Sequence, residues 1–473
     1  MGLGERLDAA PIVQVARGAL GGREAWIVGG AIRDAALEHE VSDLDLAVGG
    51  DPGAAARQLA DAAGAHVFEL SAEFSTWRVV DPGGSWQVDL AALRGGTIEA
   101  DLAERDFTIG AVAMPLEGGG LVDPHGGLQD LKRRVLRVVG GESFAADPLR
   151  LLRGARLAAA LGVEVAAWTA ARARAAAPRA PEPAGERQLT ELRELLGGSR
   201  PLRGLELLDD LELTPVVLPE VAALRGVEQG PNHHLDVHGH TLAVLEQTLE
   251  VEADLERFAG DRAEETRALL SEPLADEMSR GTALRFGALL HDIAKPLTRG
   301  DRAGFVTFIG HDREGAEIIG LMMGGRLRAS RALTRHLQAL TLHHLRLGFL
   351  VHERPLPPRR VHEYLRATEP VSVDVTLLTV ADRLSARGSG PFATGEAIEA
   401  HLALAREMLA AAFDWRRDGP PPPLVRGDEL AAELGIGEGP ELGELLAELE
   451  AAQYAGEVVT REQAVELARR RRG

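Results

Sequence analysis

"AWIVGGAIRDAALEHEVSDLDLAV", residues 25–48, sets an apolar run, a Gly-Gly turn, a helical stretch and a second apolar run in close succession. Asp43 and Asp45 stand two apart inside that second run. In an extended strand, residues two apart share a face, with Cα atoms roughly 6.6 Å apart. Both carboxylates therefore point one way, while Leu44, Leu46 and Val48 point toward a core. Two carboxylates on an apolar segment are costly to desolvate unless a positive charge lies between them. Two-metal sites span about 3.5–4 Å, and Mg²⁺ takes few protein carboxylates, leaving its other positions to substrate phosphates. Asp89, in "WQVDLAAL", lies on a separate predicted strand, where it either completes this catalytic cluster or is a solvated strand-end acid. Gly29 and Gly30 form a strand-to-helix turn that lets backbone approach a phosphate. Arg33 adds a guanidinium fork suited to a triphosphate. A lone Gly-Gly is usually a plain turn, and a lone D-x-D a solvated strand edge. Within one strand–turn–helix–strand unit they support each other.

At 473 residues the chain is too long for one ordinary core, so several domains are expected. No run of about 18 apolar residues occurs, so no membrane span is expected. The start "MGLGERLDAAPIVQVARG" lacks the basic and apolar regions of a secretory signal, which makes the cytoplasm the expected location. The absence of cysteine excludes disulfides and thiolate metal sites and leaves His, Asp and Glu as metal ligands. A net charge of −20 argues against indiscriminate nucleic-acid binding. Local basic stripes, "LKRRVLR" (131–137) and "DPLRLLRGAR" (147–156), still leave room for RNA.

Short β-type runs and turns fill residues 24–140, and Ala/Leu/Arg/Glu-rich helical patterns follow from Glu142. "PRAPEPAGE" (178–186) and "PLPP" (355–358) interrupt them, and "DGPPPPLVRGDEL" (418–430) reads as a linker before a small helical tail.

The stretch "VGGAIRD…SDLDLAV" resembles the head-domain signature of the class II tRNA nucleotidyltransferase and bacterial poly(A) polymerase family, within the polymerase-β-like superfamily. Further blocks follow in that family's order: "DLAERDFTIGAVA" (101–113), "VDPHGGLQDLKRRVLRVV" (122–139), "FAADPLRLLRGARLAAALG" (144–162), "ERQLTEL" (186–192) and "PLRGLELLDDLELTPVVLPEVAAL" (201–224). The tail from Pro423 also fits, so the resemblance covers nearly the whole chain. It implies an α+β fold, with a polymerase-β-like head followed by all-α neck, body, HD and tail domains. The expected boundaries are 1–140 for the nucleotidyltransferase head, 141–200 for a base-recognising neck, and 201–230 for the start of an RNA-binding body. The HD domain is expected at 231–400 and the tail at 401–473.

The activity implied is untemplated addition of C and/or A, from CTP and ATP, to the 3′ end of tRNA by two-metal phosphoryl transfer. Asp43 and Asp45 would hold Mg²⁺, and Arg105 and Asp106 match ribose and triphosphate contacts. Asp147 and Arg150 match the pair that reads the incoming base. Their i/i+3 spacing puts an acceptor and a donor fork on one helix face, which Arg153 and Arg156 continue. The bland reading of that arginine stripe is a solvated helix surface with glutamate partners. Glu104, Gly110 and Ala146 stand where the family usually has Arg, Asn and Glu. Many CCA-adding members carry a longer loop before the RDFT block, whereas here only Leu93–Glu104 intervenes. CC-only addition, A-only addition and poly(A) synthesis are the alternatives.

A second constellation comprises "HHLDVHGHTLAVLE" (233–246), "ALLHDIAKP" (288–296), the segment around His311, "LTLHHLRL" (340–347) and "TVADRLSARG" (379–388). This order of His and Asp resembles the HD phosphohydrolase superfamily. The resemblance implies a metal site of His240, His291, Asp292 and Asp382, with His311 and His343 (or His344) extending it to a dinuclear one. Imidazole and carboxylate donors suit a divalent transition metal or Mg²⁺. The implied chemistry is attack of activated water on a phosphoester such as a 2′,3′-cyclic phosphate or 2′-nucleotide. A lone histidine on an apolar face is usually a core residue, but such a set in this order is not.

An alarmone synthetase/hydrolase also joins these two modules, but with the HD module first. A catalytically silent RNA-binding protein would not need intact Asp43, Asp45, His291 and Asp292. The expected partners are tRNA, CTP and ATP, without a membrane, in a monomer or homodimer.

Overall fold

The computed structural model describes residues 2–71 and 75–472. The chain forms two compact units, Met1–Leu195 with Ser199–Val217, and Leu196–Gly198 with Leu218–Gly473.

The first unit carries a mixed sheet built from β1 (Ala25–Val28), β2 (Asp43–Val48), β3 (His66–Ser71), β4 (Thr76–Val80), β5 (Gln87–Ala92) and β6 (Ala113–Pro115). Their order is β3-β4-β5-β2-β1-β6. The β2–β5 pair is parallel, and every other neighbouring pair is antiparallel. Alternation decides the faces. Leu44, Leu46 and Val48 join Ile27, Val79, Val88 and Leu90 in one core under the helices Pro11–Leu20 and Pro52–Ala63. On the opposite face, Val28 and Ala47 pack with Ile98 and Leu102, and Asp43 and Asp45 continue that face beyond the apolar cover. The predicted strand and its inward residues are those observed.

The stretch from Asp123 to Asp130 is a bracket. The Asp123 carboxylate accepts from Gly127 N (2.7 Å) and Leu128 N (3.0 Å), starting the helix Gly127–Lys132. A Cβ on Gly127 would stand 2.0 Å from the Thr108 carbonyl oxygen, so only glycine allows this approach. Asp130 then accepts from Thr108 Oγ1 (2.8 Å) and from the Arg137 guanidinium (2.9 and 3.1 Å). These bonds fix the turn that presents Arg105 and Asp106.

After Ser143 the first unit is helical apart from Glu164–Val165, which pairs in parallel with Val135–Leu136. Leu149–Leu161 carries the arginine stripe and Gly185–Gly197 carries the "ERQLTEL" block. The second unit is nearly all helix. Val237–Ala253, Arg280–Leu290, His311–Ile319, Arg331–His343 and Ser372–Ser385 enclose Val244, Phe286, Leu337, Leu340 and Leu377. Past Pro420–Pro423, three short helices close their own small core around Leu430, Leu445, Leu449 and Val465. No helix among the described residues is long and apolar enough to cross a membrane.

Candidate functional site

Asp43 and Asp45 project from one face of β2, and Asp89 stands opposite Asp45 in the parallel register. The three carboxylates thus share a face, as their spacing implies. Although Asp45 keeps an exposed surface, desolvation by the groups packed around its carboxyl pushes it up, with Arg105 opposing and Asp89 adding to the rise. Asp43 is raised in the same way, with Arg78 opposing. Arg78, from β4, binds both Asp89 oxygens at 2.7 and 2.8 Å. Sequence reasoning missed this partner, which is visible only once β4 pairs with β5. Asp89 therefore reaches the cluster with both oxygens engaged.

The turn behind the cluster explains the glycines. Gly29 adopts φ +70°, and a Cβ there would come within 2.9 Å of Asp45 Oδ2 and 3.2 Å of Arg105 Nη1. Gly30 N points at Asp45 Oδ2 from 3.5 Å. Arg33 lies midway along the short following helix Gly30–Ala36, paired with Asp34 at 2.9 Å. Arg105 is braced by Asp101 at 3.0 Å.

A cavity of about 840 Å³ is lined by Arg94, Arg105, Asp106, Asp147, Arg150 and Arg153, together with Arg179 and Arg187. Its volume and guanidinium lining suit a nucleotide. Arg153 donates to Asp106 Oδ2 (3.3 Å) and to Glu191 (2.9 Å), and Arg156 donates to Glu191 (2.6 Å). Arg156 is thus set behind the cavity on a buried glutamate rather than in its wall. Glu191, the second glutamate of "ERQLTEL", was a quoted motif letter without an assigned part. Arg187 is the arginine of the same block, while Arg94 and Arg179 carried no local signal, because their convergence is tertiary.

In the second unit, His240, His291 and Asp382 form one group of candidate ligands and Asp292, His311 and His344 another, with donor atoms within 4.8 Å of one another in each group. His240 Nε2 lies 3.0 Å from Asp382 Oδ1, and Asp292 reaches His291 (3.1 Å), His311 (3.3 Å) and His344 (3.8 Å). The sequence expectation named His343, with His344 as the alternative. The structure instead turns His344 inward and His343 toward Arg346, whose Nε donates to His343 Nδ1 at 2.9 Å. Adjacent residues at a helix end diverge by about 100°, so only one of the two can enter.

The histidine rings are aimed by backbone. Nδ1 of His291, His311 and His344 meets the carbonyls of Ala288, Phe308 and Thr341 at 2.9, 2.6 and 2.6 Å. A carbonyl only accepts, so each Nδ1 carries the proton and each Nε2 presents a lone pair inward. Nε2 of His311 and of His344 meet at 3.3 Å. Two lone pairs so placed fit a shared cation, and the donor set is one that Mn, Fe, Co, Ni or Mg accepts. Burial pushes the His344 imidazole down to about 4, which keeps it neutral. Burial raises the Asp292 carboxyl, but His291 and Lys295 outweigh it and hold the group well below the usual range. Lys295 Nζ, bound to Asp292 Oδ2 (2.7 Å) and Gln229 Oε1 (2.6 Å), was missed, although it follows Asp292 by one helical turn. His233, edge-on to His240 with ring centroids 4.5 Å apart, is a further neighbour.

Residues 25–95 and 81–137 match the poly(A) polymerase head domain, and residues 237–387 match the HD domain. The A-adding tRNA nucleotidyltransferase of Deinococcus radiodurans is 37% identical over 452 residues, covering 93% of this chain and 94% of that protein. The CC-adding tRNA nucleotidyltransferase of Thermus thermophilus is 34% identical over 452 residues, covering 93% of this chain and 92% of that protein. The solved complex of a CCA-adding enzyme with ATP superposes with a TM-score of 0.63 at 20% identity, covering 100% of this chain and 98% of that one. At that identity it speaks for the fold.

Proposed function

Because the chain belongs to the tRNA nucleotidyltransferase family and is an enzyme of that type, we propose that it adds C and/or A to the 3′ end of tRNA, using CTP and ATP. The observation that carries this reading is the Asp43–Asp45 pair beside the Gly29 turn, in a unit whose arginine-lined cavity also holds Asp147 and Arg150. In the reaction the terminal 3′ hydroxyl attacks the α-phosphorus, a phosphodiester forms, and pyrophosphate leaves. Asp43 and Asp45 would hold Mg²⁺, which supplies charge neutralisation and activation of the hydroxyl when bound. Gly29 and Gly30 keep the backbone close enough for the triphosphate, while Arg33 and Arg105 offer counter-charge. Asp106, fixed by Arg153 and by Phe107 N (2.8 Å), is placed to accept from the ribose. Asp147 accepts from the exocyclic amine of the base, and Arg150 donates to its ring nitrogen.

Addition of only part of the CCA end is the reading favoured within this class. Leu93–Glu104 is a tight turn and the short helix Ile98–Ala103, with Leu102 buried, so it offers no long mobile loop. In the second unit, His240, His291, Asp292, His311, His344 and Asp382 would hold divalent cations, which supply Lewis-acid activation of water for phosphoester hydrolysis. Terminal cyclic phosphates or 2′-phosphates are the substrates that would suit an enzyme working on RNA ends.

The test is incubation of the purified protein with Mg²⁺, labelled CTP or ATP, and tRNAs ending before CCA, after C and after CC. Extension by CC, by A or by CCA names the activity. A long A tract would replace this reading with poly(A) synthesis, and no extension would refute it.

A further inference from the structure

The base-reading pair proposed above is not free to choose its own orientation. Asp147 is extended and precedes the helix Leu149–Leu161, so it does not share a helix face with Arg150 as its spacing predicts. Its Oδ1 accepts from Leu149 N (3.1 Å), which ties the carboxylate to the start of that helix. Asp147 Oδ2 accepts from Arg187 Nη2 (2.9 Å), which reaches across from the "ERQLTEL" helix. Two anchors, one per oxygen, define the plane of the carboxylate and leave its remaining lone pairs for the cavity. Arg150 is held similarly. Its Nη1 donates to Ser143 Oγ (2.7 Å) and the Arg105 carbonyl (3.4 Å), and its Nη2 to the Glu104 carbonyl (2.8 Å). Nε and one Nη2 hydrogen remain for a ligand.

These anchors do little for stability. The Arg187 side chain is 45% exposed and Asp147 26%, and ion pairs at such a rim contribute little to folding. Their effect is on direction. Cytosine and adenine both pair an exocyclic amine donor with a ring-nitrogen acceptor, whereas guanine and uracil offer the reverse pattern. A carboxylate acceptor and a guanidinium donor distinguish the two classes only while both are aimed, and a well-placed hydrogen-bond pair is worth about tenfold or more in discrimination.

We infer that Arg187 and Ser143 are positioning residues that aim Asp147 and Arg150 and thereby set which bases the nucleotidyltransferase accepts. The inference rests on reading Asp147 and Arg150 as the base-contacting pair. Neither residue touches the reacting atoms.

The experiment compares kcat/KM for ATP and CTP with that for GTP and UTP, on the full-length protein with tRNA acceptors, for wild type, Arg187→Ala, Ser143→Ala and Asp147→Asn. Arg187→Ala is expected to lower the preference for ATP and CTP about tenfold or more through a rise in KM, with a melting temperature close to wild type. Ser143→Ala acts on Arg150 with the same readout and carries the test if Arg187→Ala does not fold. An unchanged preference in the folded variants overturns the inference. If Asp147→Asn relaxes the preference while Arg187→Ala and Ser143→Ala do not, the positioning claim alone falls. If Asp147→Asn leaves base choice untouched, the underlying reading of Asp147 falls with it.

Discussion

The acidic face at Asp43 and Asp45 is open to solvent and bordered by guanidinium groups, whereas the Asp292 cluster is buried and framed by main-chain carbonyls. Both gather carboxylates that repel each other, Asp43, Asp45 and Asp89 in the first and Asp292 and Asp382 in the second. The first moderates the repulsion with guanidinium groups, Arg78 braced by Asp89 and Arg105 by Asp101, which suits a large, highly charged ligand. The second fixes its donors through helix ends and fills the remaining space with ring contacts, which suits resident ions and a small reacting group. The open site relies on arginine counter-charge, and the enclosed one sets pre-aimed lone pairs beside the single charge of Lys295.

The sharpest way to break this comparison is to remove one acid from each site. Asp45→Asn is expected to cut nucleotide addition on the order of 10³-fold, measured with labelled CTP or ATP, while the phosphoester hydrolysis proposed for the second unit persists. Asp292→Asn is expected to do the converse. Loss of both activities from either variant would erase the separation.

Metal content then sharpens the description of the buried cluster. His344→Ala should weaken retention of a transition metal by more than the roughly 10–100-fold typical of losing a supporting residue, read by elemental analysis after gel filtration. His343→Ala should retain metal as wild type does, because His343 faces Arg346.

A smaller effect tests the arginine frame of the open site. Glu191→Gln leaves Arg153 and Arg156 without their shared charge partner. A stability loss of about 2–3 kcal/mol is expected from chemical denaturation, less than for a fully buried pair because both arginines are partly exposed.

The smallest effect is a pH dependence. Burial would raise the Asp130 carboxyl, but the hydrogen bonds from Arg137 and Thr108 outweigh it and leave the pKa below its ordinary 3.8. A depressed acid stabilises the fold above that unfolded value, and the contribution is lost as pH falls through the lower folded one. In acid-unfolding curves the stability gap between wild type and Asp130→Asn should therefore narrow below about pH 4.

Much of this was legible from residue order. The period-two pattern of "DLDLAV" gave both the carboxylate face and the core face, because a strand leaves no other choice. His240, His291, Asp292, His311 and Asp382 were also legible, since each sits in a short motif near a helix end. Contacts made by long side chains from distant segments were not. Arg78 on Asp89, Arg187 on Asp147 and Glu191 on Arg153 and Arg156 depend on which strands and helices become neighbours. The choice between His343 and His344 depended on helix phase, which a one-residue shift inverts. The sequence "HH" carries no phase of its own.

The carbonyls that orient His291, His311 and His344 belong to the main chain, which every residue type supplies equally. Positions 288, 308 and 341 can therefore exchange their side chains over generations, within the limits of packing, while the imidazoles keep their bearings. The enclosure is tolerant in its surroundings and brittle at its own members, so the donor arrangement should be lost by replacing a donor outright rather than by gradual drift around it.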